Sequence, residues 1–315
     1  MATRSIVILV IIAAIALAVP PFLPRSVVDL LVFSCIYSIA GLGVGLLLGQ
    51  CGIANLGQSV FYALGAYATA YMTVTLGVGA AWGFLTGVIL SGLIALVIGW
   101  PVLRLTGHFL ALATLALGIV ANALFYEWDW LTHGSLGFGG IPKLNIFGLV
   151  IDTPLRFYYL AGAVLALCLL ASANLIGSRT GLMLRAMRDA PEAAKSLGIN
   201  AQWLRTRIFI LSAIFGSIAG SLFAHYGSFV NVQSFGIEKA IAFLIIPVLG
   251  GATSLPGVVI GALFTTLVPE MLTRFGDLHQ VLFGLTLMAT VVLMPSGLMG
   301  GLASLSRYMT ARGRA

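Results

Sequence analysis

Charge is what this sequence has least of. Only 8% of its 315 residues are charged, nine Asp+Glu and sixteen Lys+Arg. A soluble domain carries roughly 25%, and a soluble surface needs about 25–35%. A soluble enzyme is excluded on that ground. A disordered chain is excluded too, because disorder needs high charge and low hydrophobicity together. Cysteine is also scarce. Cys35, Cys51 and Cys168 lie in or beside apolar runs with no CxxC pair, which argues against a disulfide framework and against a metal site. The glycine-rich stretch Gly134-Ser135-Leu136-Gly137-Phe138-Gly139-Gly140 lacks the Gly-Lys-Ser/Thr ending of a phosphate loop. No strand precedes Gly41-Leu42-Gly43-Val44-Gly45, so it is no dinucleotide fingerprint. No nucleotide or cofactor site is visible in the chain itself.

What is present in excess is apolar sequence. Hydrophobic residues make up 60%, against about 45–50% in ordinary domains. The apolar runs are long and unbroken, unlike the alternating ~10-residue segments of a membrane barrel. Helices satisfy their own backbone in lipid, so the expected fold is all-α: a polytopic transmembrane helix bundle forming a single domain over 1–315. A span needs about 20 apolar residues. Ten spans are expected, at 5–22, 27–48, 57–76, 82–103, 109–126, 156–176, 208–228, 238–250, 256–272 and 279–297. The first run is read as a retained helix; a cleaved signal peptide is the alternative.

Ten spans put both termini on one side. Eleven Lys/Arg then fall on that side and five on the other, which marks the first as cytoplasmic. Topology rather than nucleic acid accounts for the net charge of +7. The loop 127–154 then lies outside, with Trp128 and Trp130 as interfacial anchors. The loop 177–207 lies inside and holds six of the sixteen basic residues. The segments near Gly52 and Gly251 resemble one another at an offset of 199, with Asn55 falling on Ser254. Such duplication is common in transporters, and chance similarity between glycine-rich stretches is the alternative. Glycines at 41, 45 and 49, at 216 and 220, and at 257 and 261 are spaced for close helix packing.

Coupled carriers and pumps keep ionisable residues inside the membrane. Here Asp29, Arg104, Glu238, Lys239 and Glu270 sit at span ends. Any transport would then draw its energy from elsewhere. Polar residues that interrupt the spans include Asn55, Gln58, Ser59 and His108. Either they bond within the bundle or, at glycine-interrupted breaks, they line a path; Gly251 and Ser254 at the second break are candidates with them.

The inner loop reads as two helices. In Arg179–Arg188, Arg185 and Arg188 share a face, with Leu182 and Met183 within reach of the bilayer. Asp189–Gly198 reads as a short helix. Asp189 and Glu192 form a capping box, Pro191 sits in the first turn and Gly198 takes a left-handed closing position. Such a helix is either an interfacial connector or a grip for a second protein.

Glu192-Ala193-Ala194-x-x-x-Gly198 resembles the EAA-x-x-x-G core of the cytoplasmic loop in ABC-importer permeases. The flanking Arg179-Thr180-Gly181, Leu184-Arg185-Ala186, Arg188-Asp189 and Leu197-Gly198-Ile199-Asn200 resemble the branched-chain amino acid permeases, the LivH/LivM group. Gly107-His108-Phe109-Leu110-Ala111, Ala224-His225-Tyr226-Gly227 and Val248-Leu249-Gly250-Gly251 are similar to the LivM branch. Cys51-Gly52-Ile53-Ala54-Asn55-Leu56 departs from the family pattern. The resemblance implies a permease subunit without enzymatic activity in a bacterial or archaeal cytoplasmic membrane. Its implied partners are a second, LivH-like permease, two cytoplasmic ATPases that use ATP, an external solute-binding protein and membrane lipid. Residues 189–198 would be the coupling helix, and Arg185, Arg188, Asp189, Glu192, Ala193, Ala194 and Gly198 would carry coupling. Branched-chain amino acids are the expected solute, with urea, amides or aromatic acids as alternatives and a partner-independent channel as another class.

Overall fold

A computed structural model describes residues 18–146, 149–294 and 297–301. Most of the first expected span and the basic residues 307, 312 and 314 lie outside them. From residue 27 onward the expected spans fall on helices, the last of them, expected over 279–297, being helical over His279–Leu293. The helices are α1 (Arg25–Cys51), α2 (Gln58–Ala70), α3 (Ala80–Val102), α4 (His108–Glu127), the short α5 (Asp129–Thr132) and α6 (Pro154–Gly177). The loop helices α7 (Arg179–Asp189) and α8 (Pro191–Ser196) follow, then α9 (Ala201–Gly227), α10 (Ile237–Gly250), α11 (Leu255–Leu272) and α12 (His279–Leu293). Seven segments are long and apolar enough to cross a membrane: α1, α3, α4, α6, α9, α11 and Val232–Gly250. Helix α2 continues into a π turn at Tyr71–Thr75.

The core is built around α1, α2 and α9, where α9 packs on α1, α2 and α3. Small residues set the spacing. Gly41 faces Ile246 and Val258, Gly45 faces Val258, and Gly49 lies against the Ala252 carbonyl. Gly216 lies over Phe61 and Gln58, and Gly220 over the Tyr62 carbonyl. The glycine stripes are therefore packing seams, as their spacing suggested.

Helix α3 shows the lipid rule most clearly. Its buried positions are Gly83, Gly87, Ser91, Ala95 and Gly99, one every four residues. Its large residues Trp82, Leu85, Ile89, Leu93 and Val97 are exposed. Polarity does not separate the two faces; size does. In lipid the tails are as apolar as leucine, so association favours the face that lets backbones approach.

One end of the bundle carries 177–207 and the other carries 127–154; they are called here the basic end and the far end. At the far end, β1 (Phe138–Gly139) pairs antiparallel with β4 (Phe229–Val230). A second small ladder joins β2 (Asn145–Ile146) to β3 (Leu149–Val150). Trp128 and Trp130 are exposed and stack edge to face, 5.7 Å between centroids.

Helix ends follow from local chemistry. Helix α1 stops at Gly52, whose φ of +68° suits glycine. The Gly52 and Ile53 amides donate back to Leu48 and Leu47, which satisfies carbonyls that the helix end would strand. Helix α10 is 14 residues long, about 21 Å at 1.5 Å per residue, which is too short to cross alone. It stops at Gly251 (φ +103°), and Ser254 caps α11 by accepting from the Gly257 amide. The two breaks share a construction. Each is a helix closed by a positive-φ glycine and followed by a polar side chain, Asn55 or Ser254, that accepts a backbone amide at the next helix start.

Candidate functional site

Two regions hold the residues singled out by sequence. The first is the break between α1 and α2. Gln58 is fully buried there and uses both ends of its amide. Its Nε2 donates to the Ser212 carbonyl at 2.9 Å and the Ala40 carbonyl at 3.2 Å. Its Oε1 accepts from the Ser212 hydroxyl at 2.9 Å and from Asn55 Nδ2 at 3.3 Å. A side-chain amide offers two donors and two lone pairs, so Gln58 is saturated. It pins α2 to α1 and α9. Asn55 Oδ1 accepts from the Gly57 amide, and Thr114 Oγ1 of α4 accepts from the Leu56 amide at 3.1 Å. The Leu56 and Gly57 amides freed by the break thus go to protein side chains. Ser59 is buried beside them. The breaks also touch each other, through Gly49 and Ala252. Gly251 is buried and Ser254 half-buried. His108 is apart from this cluster; it opens α4 in an exposed position after Gly107 (φ +60°).

The second region is the basic end. Helix α7 presents Leu184 and Met187 inward and leaves Leu182 and Met183 exposed. Arg185 and Arg188 do share a face, and that face is turned toward α1. Arg188 donates to the Gly49 carbonyl. Arg185 donates to the Ile176 carbonyl at 3.1 Å and reaches Gln50 Oε1 at 3.5 Å. A cation at the C-terminal turn of α1 also meets the negative end of that helix. The sequence singled out Gly49 only as a packing glycine, and Gln50 not at all. Nothing in a glycine or in a near-terminal Gln shows that a distant arginine will dock there.

The expected capping box does not form. Asp189 belongs to the last turn of α7, so its backbone is helical and cannot serve as N-cap. The N-cap of α8 is Ala190, which makes no side-chain bond. The Asp189 carboxylate instead accepts from Arg188 Nε at 2.9 Å. Glu192 pairs with Lys195 at 2.8 Å on the solvent side. The other features hold: Pro191 opens the helix, and Gly198 has φ +76°. Ala194 is buried, while Pro191, Glu192 and Ala193 are exposed. Helix α8 is thus a projecting turn held by one small side chain, and α7 ties it to the core.

Among the described residues no group of His, Cys, Asp and Glu is arranged to hold a metal. Charged residues stay near helix ends. Lys239, in the first turn of α10, donates to the Tyr37 hydroxyl at 2.9 Å and lies 4.5 Å from that ring's centre.

Residues 26–291 match the family model described as the permease component of branched-chain amino acid transport systems. The chain is 30% identical to the high-affinity branched-chain amino acid transport permease LivM of Escherichia coli (strain K12), over 92% of this chain and 74% of that protein. It is 24% identical to LivH of Salmonella typhimurium (strain LT2), over 84% of this chain and 91% of that one. It is also 27% identical to the nucleoside ABC transporter permease NupC of Lactococcus lactis, over 63% and 66%.

Proposed function

The chain belongs to the family of permease components of branched-chain amino acid transport systems, and on that premise we propose that it is one membrane subunit of an ATP-driven importer. It works beside a LivH-like permease, two cytoplasmic ATPases and an external binding protein. Aliphatic amino acids are the solute. The LivM relatives support that choice, while the nucleoside permease marks it as the part most in need of measurement.

The observation that carries this reading is the lever at the basic end. Helix α8 projects an exposed Pro191-Glu192-Ala193 surface, and α7 behind it is bonded through Arg188 and Arg185 to the last turn of α1. A push on α8 by an ATPase is delivered to α1, and through Gln58 to α2 and α9. Asp189, Ala194 and Gly198 keep the lever's shape, and the basic end faces the cytoplasm. The solute passes along the broken segments, where Asn55, Gln58, Ser59, Gly251 and Ser254 lie, with His108 at the entry of α4. Helix breaks are where a span can part without unwinding a whole helix.

The test is uptake by proteoliposomes holding the full assembly with labelled L-leucine. Uptake is expected only with ATP on the side of α8 and with the binding protein on the other. Leucine flux through the chain alone at an equal rate would overturn the proposal.

A further inference from the structure

Trp82 and Trp100 stand 18 residues apart on α3, and both are exposed. At 1.5 Å per residue that is about 27 Å of helix, against about 30 Å of hydrocarbon in a bilayer. Between them the exposed residues Leu85, Ile89, Leu93 and Val97 are apolar. Tryptophan gathers at membrane–water interfaces, so Trp100 marks the headgroup level at the basic end.

Trp203, in the first turn of α9, meets it there. The ring centroids are 6.0 Å apart and the planes 66° to one another. Each residue is 38% exposed. Backbone chemistry holds the contact. After Pro101 the Arg104 amide bonds to the Pro101 carbonyl, and the Trp100 carbonyl accepts from Gln202 Nε2 instead. The last turn of α3 is thereby fastened to the first turn of α9, and the two indoles form a fixed, exposed platform.

Each tryptophan has an arginine four residues on. Arg104 lies past the end of α3, on the water side. Arg207 lies one turn deeper along α9, on the bilayer side, and its guanidinium carbon is 5.0 Å from the Trp203 ring centre. That cation–π contact draws the charged head back toward the interface, as snorkelling arginines do. Both arginines are exposed, and neither is in an ion pair among the described residues. The sequence has no Asp or Glu over 30–126 or over 193–237, which contain all of α3, the turn after it and all of α9. The positive end of α9 adds to the same field. A cation at the lipid surface is costly without a counter-ion, and these helices supply none.

We propose that this platform binds the phosphate of an anionic phospholipid from the leaflet at the basic end. Arg104 and Arg207 meet the phosphate, the indole N–H groups donate to headgroup oxygens, and the acyl chains lie along Leu93 and Val97. Basic clusters at a membrane surface attract anionic lipid, and the joined cationic and apolar surfaces select an anionic amphiphile. A free anion would use the arginines and leave the rest of the surface idle. A cytoplasmic protein does not follow α3 into the hydrocarbon. The proposal depends neither on the solute nor on the direction of transport.

The experiment counts lipids retained by the full chain in detergent by native mass spectrometry, with palmitoyl-oleoyl phosphatidylglycerol as probe. Phosphatidylglycerol should bind about tenfold tighter than phosphatidylcholine of the same chains. Inorganic phosphate should not displace it. The double variant Arg104→Gln/Arg207→Gln should lose that preference. Lys195→Gln, an equal loss per site of basic-end charge away from the platform, should keep it. Melting in detergent alone should be the same for all variants, while added phosphatidylglycerol should raise it in the native chain and not in the double variant. Unchanged preference in the double variant, or an equal loss in Lys195→Gln, would overturn the proposal; so would displacement by phosphate. Release of the lipid when the chain joins its partner subunits would overturn it too, and would assign the platform to a protein contact.

Discussion

Arg188 on α7 donates a hydrogen bond from its guanidinium to the carbonyl oxygen of Gly49, in the last turn of α1. The residues are 139 positions apart in sequence, and the bond joins the projecting lever to the centre of the bundle. Hydrogen bonds to charged groups are worth about 1.5–3 kcal/mol. Arg188→Ala should therefore lower ATP-driven leucine uptake by about tenfold while membrane insertion stays normal. Arg188→Lys, which keeps charge and one donor, should recover part of it. Unchanged uptake in Arg188→Ala would show that the bond transmits nothing.

Glu192 has a different role, because its carboxylate is exposed and bonds only to Lys195. Exposed pairs contribute roughly 0–1 kcal/mol, so stability should not depend on it. Glu192→Lys should abolish uptake and leave the detergent melting temperature within a degree or two. Gly198→Asp should do the same, with some added backbone strain at φ +76°. Uptake assays paired with thermal melts separate the two effects.

Gln58→Leu removes four hydrogen bonds at once and leaves the Ser212 hydroxyl, Asn55 and two carbonyls without this partner. Each unsatisfied buried group costs about 1–3 kcal/mol. The variant should melt several degrees lower and lose most of its uptake. Gln58→Glu should fare as badly, since a carboxylate cannot donate to the Ala40 and Ser212 carbonyls. A melting temperature equal to the native one would refute the pinning role.

A methyl group on Gly220 would sit 1.8 Å from the Tyr62 carbonyl oxygen, whereas Gly162 has no neighbouring atom within 4 Å. Gly220→Ala should sharply reduce the amount of folded protein in the membrane. Gly162→Ala should be neutral or slightly stabilising, because glycine costs about 0.5–1 kcal/mol in a helix. Fluorescence size-exclusion of both variants checks this pair.

Sidedness is testable with the chain's own chemistry. Cys51 and Cys168 are buried and Cys35 is half-buried, so background labelling is low. An impermeant maleimide should label Ala193→Cys only from the cytoplasmic face and Leu136→Cys only from the other. The reverse pattern would invert the topology.

The helices and their breaks were readable because one dominant force, exclusion of polar backbone from lipid, acts segment by segment. Long apolar runs and the stops at Gly52 and Gly251 are local signals. The capping box was misjudged because a single residue, Asp189, stayed in the preceding helix, and helix boundaries are set within one or two residues by neighbours rather than by motif. The inward stripe of α3 was legible in principle, since Gly83, Gly87, Ser91, Ala95 and Gly99 share a face. Its signal is residue size rather than polarity, because lipid is as apolar as the large side chains that face it.

The amino-acid order by itself determined the class of molecule, the positions of its spans, the bent segments between them and the existence of a small helix in the basic loop. Each of these depends on interactions within a few turns of chain. Only the folded bundle decided what that helix is fastened to, that Gln58 has no spare hydrogen bond, and that Trp100 and Trp203 meet. Those facts depend on groups up to 154 residues apart. Their meeting is set by how closely the small faces of α1, α2, α3 and α9 let the helices approach.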